Sequence, residues 1–428
     1  MKTIRKSILF ILAALMLIGC IPMGFAENTG SGVLKTLPNF PDTPSREEII
    51  ASLPSFDTEI ELYTWLCCGP DNWFLYGPDD GRYAVDPSVK NWTPGEWTQA
   101  EYERETEYVN FMRSLAGLPA LPNATDLNRA CALYALACAS GDTLYPEKPA
   151  GMSGEDWDQA YYRGDCLKSW FACSDGSSTE KTDHGAWYYF NWTYSALRLL
   201  DPQATAVGFG SAPSATGAVY NCTSVDSLNS YFDLYYSSTP SVAWPAPLMP
   251  VENFGVENAW AFAFPIVDYV ICDFPTATIT YRKTGQTWQM VPCNKNNPFV
   301  TMPTFIYCLP KEMQDCFPDG FSDGDIFDVT IEGLDGGPYT YTTEFIRLTD
   351  ETKLEAEIQA KIEAEEQEWL EAIQNSDTED SQDFTDPTGN TSDSQDSTST
   401  SSQTNNKSVF SFIERIIAFF RKIFSFFS

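Results

Sequence analysis

One histidine, His184, serves the whole chain of 428 residues. A zinc centre draws on three or four N, S or O ligands, and one imidazole does not supply a recognisable set. The twelve cysteines do not repair the deficit: none are spaced Cys-x-x-Cys, which excludes a zinc ribbon or a thioredoxin-like motif. Cations are scarce too. Lys and Arg number 26 against 59 Asp and Glu, a formal charge of -33. Such a surface repels phosphate backbones, so nucleic acid is not expected as a partner, and the charge reads as a solubility device. EF-hand spacing is also missing. Asp319, Asp323, Asp325 and Asp328 with Gly320 and Gly324 invite a calcium reading, but a solvated turn before a strand fits better. No cofactor and no metal is expected.

What is present is a secretory pattern. Lys2, Arg5 and Lys6 precede an apolar run from Ile8 to Ile18, as in a signal peptide over residues 1–26. Gly24-Phe25-Ala26 offers cleavage before Glu27, and is preferred. Leu17-Ile18-Gly19-Cys20 offers the alternative of a lipidated Cys20, although Ile21-Pro22 is bulky for that processing. A secreted chain with twelve cysteines suggests disulfides, and without Cys20 the eleven left are odd in number. Cys131 and Cys138 lie about 10 Å apart along one helix, too far to bridge each other. They read as small core residues.

Taken in order, residues 27–95 are rich in Pro, Gly, Asp and Trp. They read as an extension packed on the next domain, with one helical candidate at 45–53 capped by Ser45. Residues 101–115 are amphipathic through Tyr108, Phe111, Met112 and Leu115, and residues 127–139 through Leu127, Ala130, Cys131, Tyr134 and Cys138. Residues 142–182 look loop-like. Residues 186–200 carry an aromatic run, read as core with a stacking platform as the alternative. Strand composition marks 232–236, 261–266, 276–281, 305–308, 327–331 and 339–348. These antiparallel strands without intervening helices argue a small β-sandwich over 255–349. Residues 350–375 form an acidic helix with a stripe of Leu354, Ile358, Ile362, Trp369 and Ile373, either docked or projecting. Residues 376–407, almost without apolar side chains, read as a disordered linker.

Residues 408–428 close the chain with an amphipathic helix. Phe412, Phe419, Phe420 and Phe427 share its apolar side, while Arg415, Arg421 and Lys422 share the polar side. Four charges make spanning a bilayer costly, so the expected partner is a membrane surface, with docking on the protein as the alternative.

Several motifs occur in one order. Tyr108 to Pro119 contains V-N-x-x-R with Ala116-Gly117-Leu118-Pro119. An Ala-rich helix follows, then the loop Pro146 to Met152. Leu199-Leu200-Asp201-Pro202 precedes Gly208-Phe209-Gly210, and Val242-Ala243-Trp244-Pro245 comes with Pro250. Together these resemble the CAP superfamily, also called SCP domains, over about residues 96–254. The resemblance implies a secreted α/β/α sandwich, in bacterial members often followed by a β-domain. The whole is expected to be α+β: CAP-like sandwich, β-sandwich, acidic helix, linker and C-terminal amphipathic helix.

The resemblance also implies a cleft holding two histidines and two acidic residues, where some members bind metal. Here the histidine of the L-x-H-x-P loop falls on Leu144. The one opening H-R-x-x-L-L-N-P falls on Ser195, with its arginine on Ala196. Two readings follow. One is a non-enzymatic extracellular binding or structural protein with a degenerate cleft, its ligand a lipid, peptide or envelope component. The other is an extracellular hydrolase using His184 as base beside Cys173, Ser174 or Ser177.

Overall fold

The computed structural model describes residues 35–36, 40–70, 81–162, 167–171, 193–216, 219–227, 240–264, 266–268, 274–293, 304–334 and 337–379. The leader at 1–26, Cys20, Cys166, Cys173, the aromatic run 186–192, the strand expected at 232–236 and the segment 380–428 lie outside them.

Residues 27–95 carry more regular structure than one helix. A short strand, β1 (Lys35–Thr36), comes first. Helix α1 (Arg46–Ala51) starts at a capping box: Ser45 Oγ accepts from the Glu48 amide at 3.2 Å, and the Ser45 amide donates to Glu48 Oε2 at 2.7 Å. A second helix, α2 (Glu59–Cys68), is a correction to the sequence reading. Its apolar residues lie all round it, so no stripe announced it, and it buries Trp65 and Leu66. Strands β2 (Tyr83–Val85) and β3 (Glu96–Trp97) then pair antiparallel.

The helical domain follows as α3 (Gln99–Leu115), α4 (Thr125–Gly141), α5 (Gly154–Tyr162), β4 (Leu167–Phe171), α6 (Thr193–Leu199), β5 (Ala204–Pro213) and β6 (Val219–Ser227). Helix α5 and strand β4 correct the expectation of a loop over 142–182. Ser153 Oγ accepts from the Asp156 amide at 3.0 Å, and Glu155 and Asp156 suit the first turn of α5.

The sheet runs β4-β6-β5, all antiparallel. Alternation along β5 sends Gly208, Gly210 and Ala212 towards α4, and Val207 and Phe209 into the cluster built on α3 and α6. Helices thus cover both faces, in an α/β/α arrangement. The glycines let α4 approach: a Cβ on Gly210 would lie 2.3 Å from the Ala132 nitrogen, and one on Gly208 2.7 Å from the Leu127 carbonyl carbon.

The V-N-x-x-R and Leu-Leu-Asp-Pro motifs lock this layer together. Asn110 Nδ2 donates to Leu121 O at 2.9 Å, and the Leu121 amide donates to Asn110 Oδ1 at 2.7 Å. Arg113, fully buried, donates to Pro119 O at 2.9 Å, Leu199 O at 2.6 Å and Asp201 O at 2.9 Å. It satisfies carbonyls left over at the end of α6. Burial lowers its pKa to about 10, with the Asp201 charge opposing. Asp201 Oδ1 accepts from the Gln203 amide at 2.8 Å and shapes the turn at Pro202.

The second layer system uses β7 (Val242–Trp244), β8 (Leu248–Pro250), β9 (Trp260–Ala263), β10 (Ile266–Asp268), β11 (Thr276–Tyr281), β12 (Thr287–Gln289), β13 (Val291–Pro292), β14 (Thr304–Cys308), helix α7 (Lys311–Gln314), β15 (Ile326–Glu332) and β16 (Tyr339–Ile346). One sheet runs β12-β11-β15-β16-β8 and the other β13-β14-β9-β7, while β10 pairs with β1. Strands β7 and β8, read from sequence as the tail of the first domain, each supply an edge to one of these sheets. Three residues apiece are too few for a periodic signal. Strand β8 pairs parallel with β16 and the other pairings are antiparallel. Between the sheets lie Trp260, Phe327, Phe345 and Phe321, the last two stacked with centroids 4.1 Å apart. Cys293 and Cys308 form a disulfide, and the Cys131 and Cys138 thiols are buried in α4 as expected.

Helix α8 (Glu351–Glu379) runs past residue 375 and docks through its first turns. Leu354 and Ile358 are buried against Ile60 and Tyr63 of α2, with Ile362 alongside. The two helices cap one another. Glu357 Oε2 accepts from the Ile60 amide in the first turn of α2, and Glu59 Oε2 accepts from the Asp350 amide before α8, each at 3.0 Å.

Candidate functional site

Helix α4 ends at Asp142, whose φ of 49° turns the chain in the left-handed region. Its carboxylate anchors the sheet: Tyr220 Oη donates to Oδ1 at 2.9 Å, and Thr216 Oγ1 lies 3.0 Å from Oδ2. Burial, followed by the Asp142 contact, raises the Tyr220 hydroxyl far above the usual tyrosine range. Two residues on, Leu144 packs half-buried against the α4 cluster with Val89, Trp92 and Trp157 around that cluster. Its carbonyl accepts from Tyr134 Oη at 3.3 Å. At the position expected for a cleft histidine the side chain therefore serves packing.

Ser195 stands in α6, whose Ala196, Leu197 and Leu199 enter the other cluster, across the sheet from α4. Leu144 and α6 thus feed separate apolar clusters. His184 lies outside the described residues, as do Phe412, Phe419, Phe420, Phe427, Arg421 and Lys422. Among the described residues, no group of three or more His, Cys, Asp or Glu is arranged to hold a metal ion, and no helix is long and apolar enough to cross a membrane.

A buried polar layer on the α3 face of the sheet escaped the sequence reading. Arg82 Nε lies 3.0 Å from Glu101 Oε1, close without being aligned as a hydrogen bond, and its guanidinium sits 4.9 Å from the centroid of the Trp97 ring. Arg104 reaches the other Glu101 oxygen. Trp97 Nε1 donates to Ser211 Oγ at 3.0 Å, and Tyr83 Oη meets the same hydroxyl at 2.5 Å. Glu105, Asn221 and Thr223 are buried too.

Register pairs Ser211 with Asn221, and alternation puts both on the face opposite α4. Glu101 and Glu105 could have been found. They continue the spacing of Tyr108, Met112 and Leu115, placing carboxylates in an apolar phase. The buried Glu101 carboxylate and Arg82 guanidinium, with Arg104 on the other oxygen, form a polar contact that ties α3 to the segment before β2.

Three of the aspartates of 319–328, Asp323, Asp325 and Asp328, are engaged by the fold. Asp325 Oδ1 accepts from Tyr281 Oη at 2.6 Å and Oδ2 from the Ser322 amide at 2.8 Å. Burial and this carboxylate push the Tyr281 hydroxyl up to about 12. Asp328 takes both Arg282 Nε and Nη2 at 2.7 Å, which lowers its pKa, and Asp323 accepts from the Arg347 amide at 2.6 Å. The turn works as a brace between strands.

Residues 106–225 match the model of a family described as the cysteine-rich secretory protein family, CAP. No curated protein matches the chain.

Proposed function

With residues 106–225 carrying a CAP domain, we propose that this is a secreted, non-enzymatic binding or structural protein whose ancestral cleft has lost its metal-binding chemistry. Membership of that superfamily is compatible with an extracellular location, because its proteins are commonly secreted. The observation that supports the reading is Leu144: at the position the family resemblance assigns to a histidine, the side chain is apolar and packs on the α4 cluster. An imidazole there would offer a ligand nitrogen, while a leucine offers none.

The ligand is a lipid, a peptide or an envelope component, held without bond cleavage. The chain leaves the cell behind the signal at 1–26, with lipidation at Cys20 as the other exit. Its cationic amphipathic tail at 408–428 then holds the body near an anionic membrane surface. A hydrolase acting through His184 is the second reading, and it makes a different prediction. The mature chain is assayed against ester, amide and glycoside substrates beside His184→Ala. The binding reading expects no turnover in either. Turnover that His184→Ala abolishes, with folding intact by circular dichroism, overturns it.

A further inference from the structure

Helix α8 outlasts its docking site. After Ile362, the described side chains Glu363, Ala364, Glu366, Gln367, Glu368 and Leu370 are all exposed, Leu370 by 47%. The stretch from 363 to 379 adds about 25 Å of helix, and isolated helices of this length are marginal in water. Residues 361–379 carry one cation, Lys361, and seven acidic side chains. Like charges at helical spacing weaken such a segment further. Internal help is small: Gln359 donates to Glu363 and Gln367 to Glu371, each at 2.9 Å. A helix so charged and so bare calls for a cationic partner.

We infer that the exposed acidic half of α8 is the intramolecular docking site of the chain's own C-terminal segment, 408–428. That segment has the complementary chemistry. With Lys407 it carries four cations against one acidic residue, in a protein where acids outnumber bases by more than two to one. Drawn as a helix, residues 409–427 measure about 28 Å, the length of the free half of α8. A flexible chain of the composition and length of 380–407 would have a root-mean-square reach of roughly 30 Å, which would put the tail at α8 at a local concentration in the millimolar range. Exposed Leu370 gives the phenylalanine face an apolar contact, with exposed glutamates along the same segment for Arg415, Arg421 and Lys422.

The function is a competition. Docked, the tail hides its cations and aromatic face; an anionic lipid surface draws it away. This rests on the membrane reading of the tail, so the experiment separates the two. The mature full-length chain is compared with a form ending at Lys407 and with the quadruple variant Glu363→Gln, Glu366→Gln, Glu368→Gln, Glu371→Gln. Zero-length carboxyl–amine cross-linking of a mixture of isotope-labelled and unlabelled protein is read by mass spectrometry. Co-sedimentation uses vesicles of phosphatidylserine and phosphatidylcholine.

Docking predicts cross-links from Lys422 to α8 within one copy, lost in the quadruple variant. That variant should bind vesicles roughly tenfold tighter, the release of about four screened surface pairs. Cross-links only between copies, or none together with unchanged vesicle affinity, overturn the proposal. Intramolecular cross-links with no vesicle binding by any form leave the docking site standing and remove the membrane reading.

Discussion

Replacing Gly210 by alanine adds one methyl group at the closest approach of helix and sheet. The new carbon would sit 2.3 Å from Ala132 N, 2.6 Å from Ala132 Cα and 2.7 Å from the Cys131 carbonyl carbon. Carbon atoms rest at about 3.5–4.0 Å, so backbone must retreat by about 1 Å or more. No flexible side chain can yield instead, because the obstacle is the main chain of α4. A retreat strains the contacts pinning α4 to β5, among them the Phe209 amide to Asn128 Oδ1 at 3.0 Å and Cys131 Sγ to Gly208 O at 3.4 Å.

Overpacking of a side chain into a core costs about 1–3 kcal/mol, and a main-chain clash belongs at or above the top of that range. About 3 kcal/mol is a large share of a total stability of about 5–15 kcal/mol. Gly154→Ala is the control, since its added carbon meets nothing within 4 Å at the start of α5. It should be neutral or stabilise by up to about 1 kcal/mol. Urea unfolding of the mature chain, followed by tryptophan fluorescence, measures both. A Gly210→Ala cost below about 1 kcal/mol would refute the reasoning that the glycine exists to admit the helix.

Arg113→Lys should cost about 2–4 kcal/mol in the same assay, because a single ammonium cannot serve Pro119, Leu199 and Asp201 together. Glu252→Gln should stabilise the protein at neutral pH by about 1 kcal/mol and flatten the pH dependence above pH 4.5. Burial raises the Glu252 carboxyl, so the folded protein keeps its proton to higher pH than the unfolded chain, and stability falls as pH rises through that window. The glutamine oxygen can still accept from the Leu348 and Thr349 amides and from Thr349 Oγ1. An unchanged pH profile would count against this. Limited proteolysis should cut first within 380–407 and release a body ending near Glu379, whereas first cuts inside 96–349 would contradict the domain boundaries.

What the sequence made legible was local or periodic. Ser45 as a cap, the strand at 276–281 and the two glycines of β5 are each decided by neighbours within a few residues, and the structure has them there. The motifs Asn110, Arg113 and Asp201 were visible as family marks, yet their work is to hold the fold. Hidden features depend on partners far along the chain. Glu357 caps a helix that begins nearly 300 residues earlier, and Arg82, Glu101 and Ser211 meet only once the sheet is built. Helix α2 was missed for a different reason. Apolar on all sides, it lacks the stripe that periodicity detects.

Central to the proposed function is a cleft that holds no metal, since the family resemblance assigns its two histidine positions to Leu144 and Ser195. Zinc titration of the mature chain by isothermal calorimetry, with elemental analysis of the purified protein, tests it directly. Substoichiometric zinc and no saturable heat are expected of the native sequence. A measurable gain is expected when Leu144→His and Ser195→His are introduced together. One tightly bound zinc per native chain, lost on substituting residues of that cleft, would contradict it.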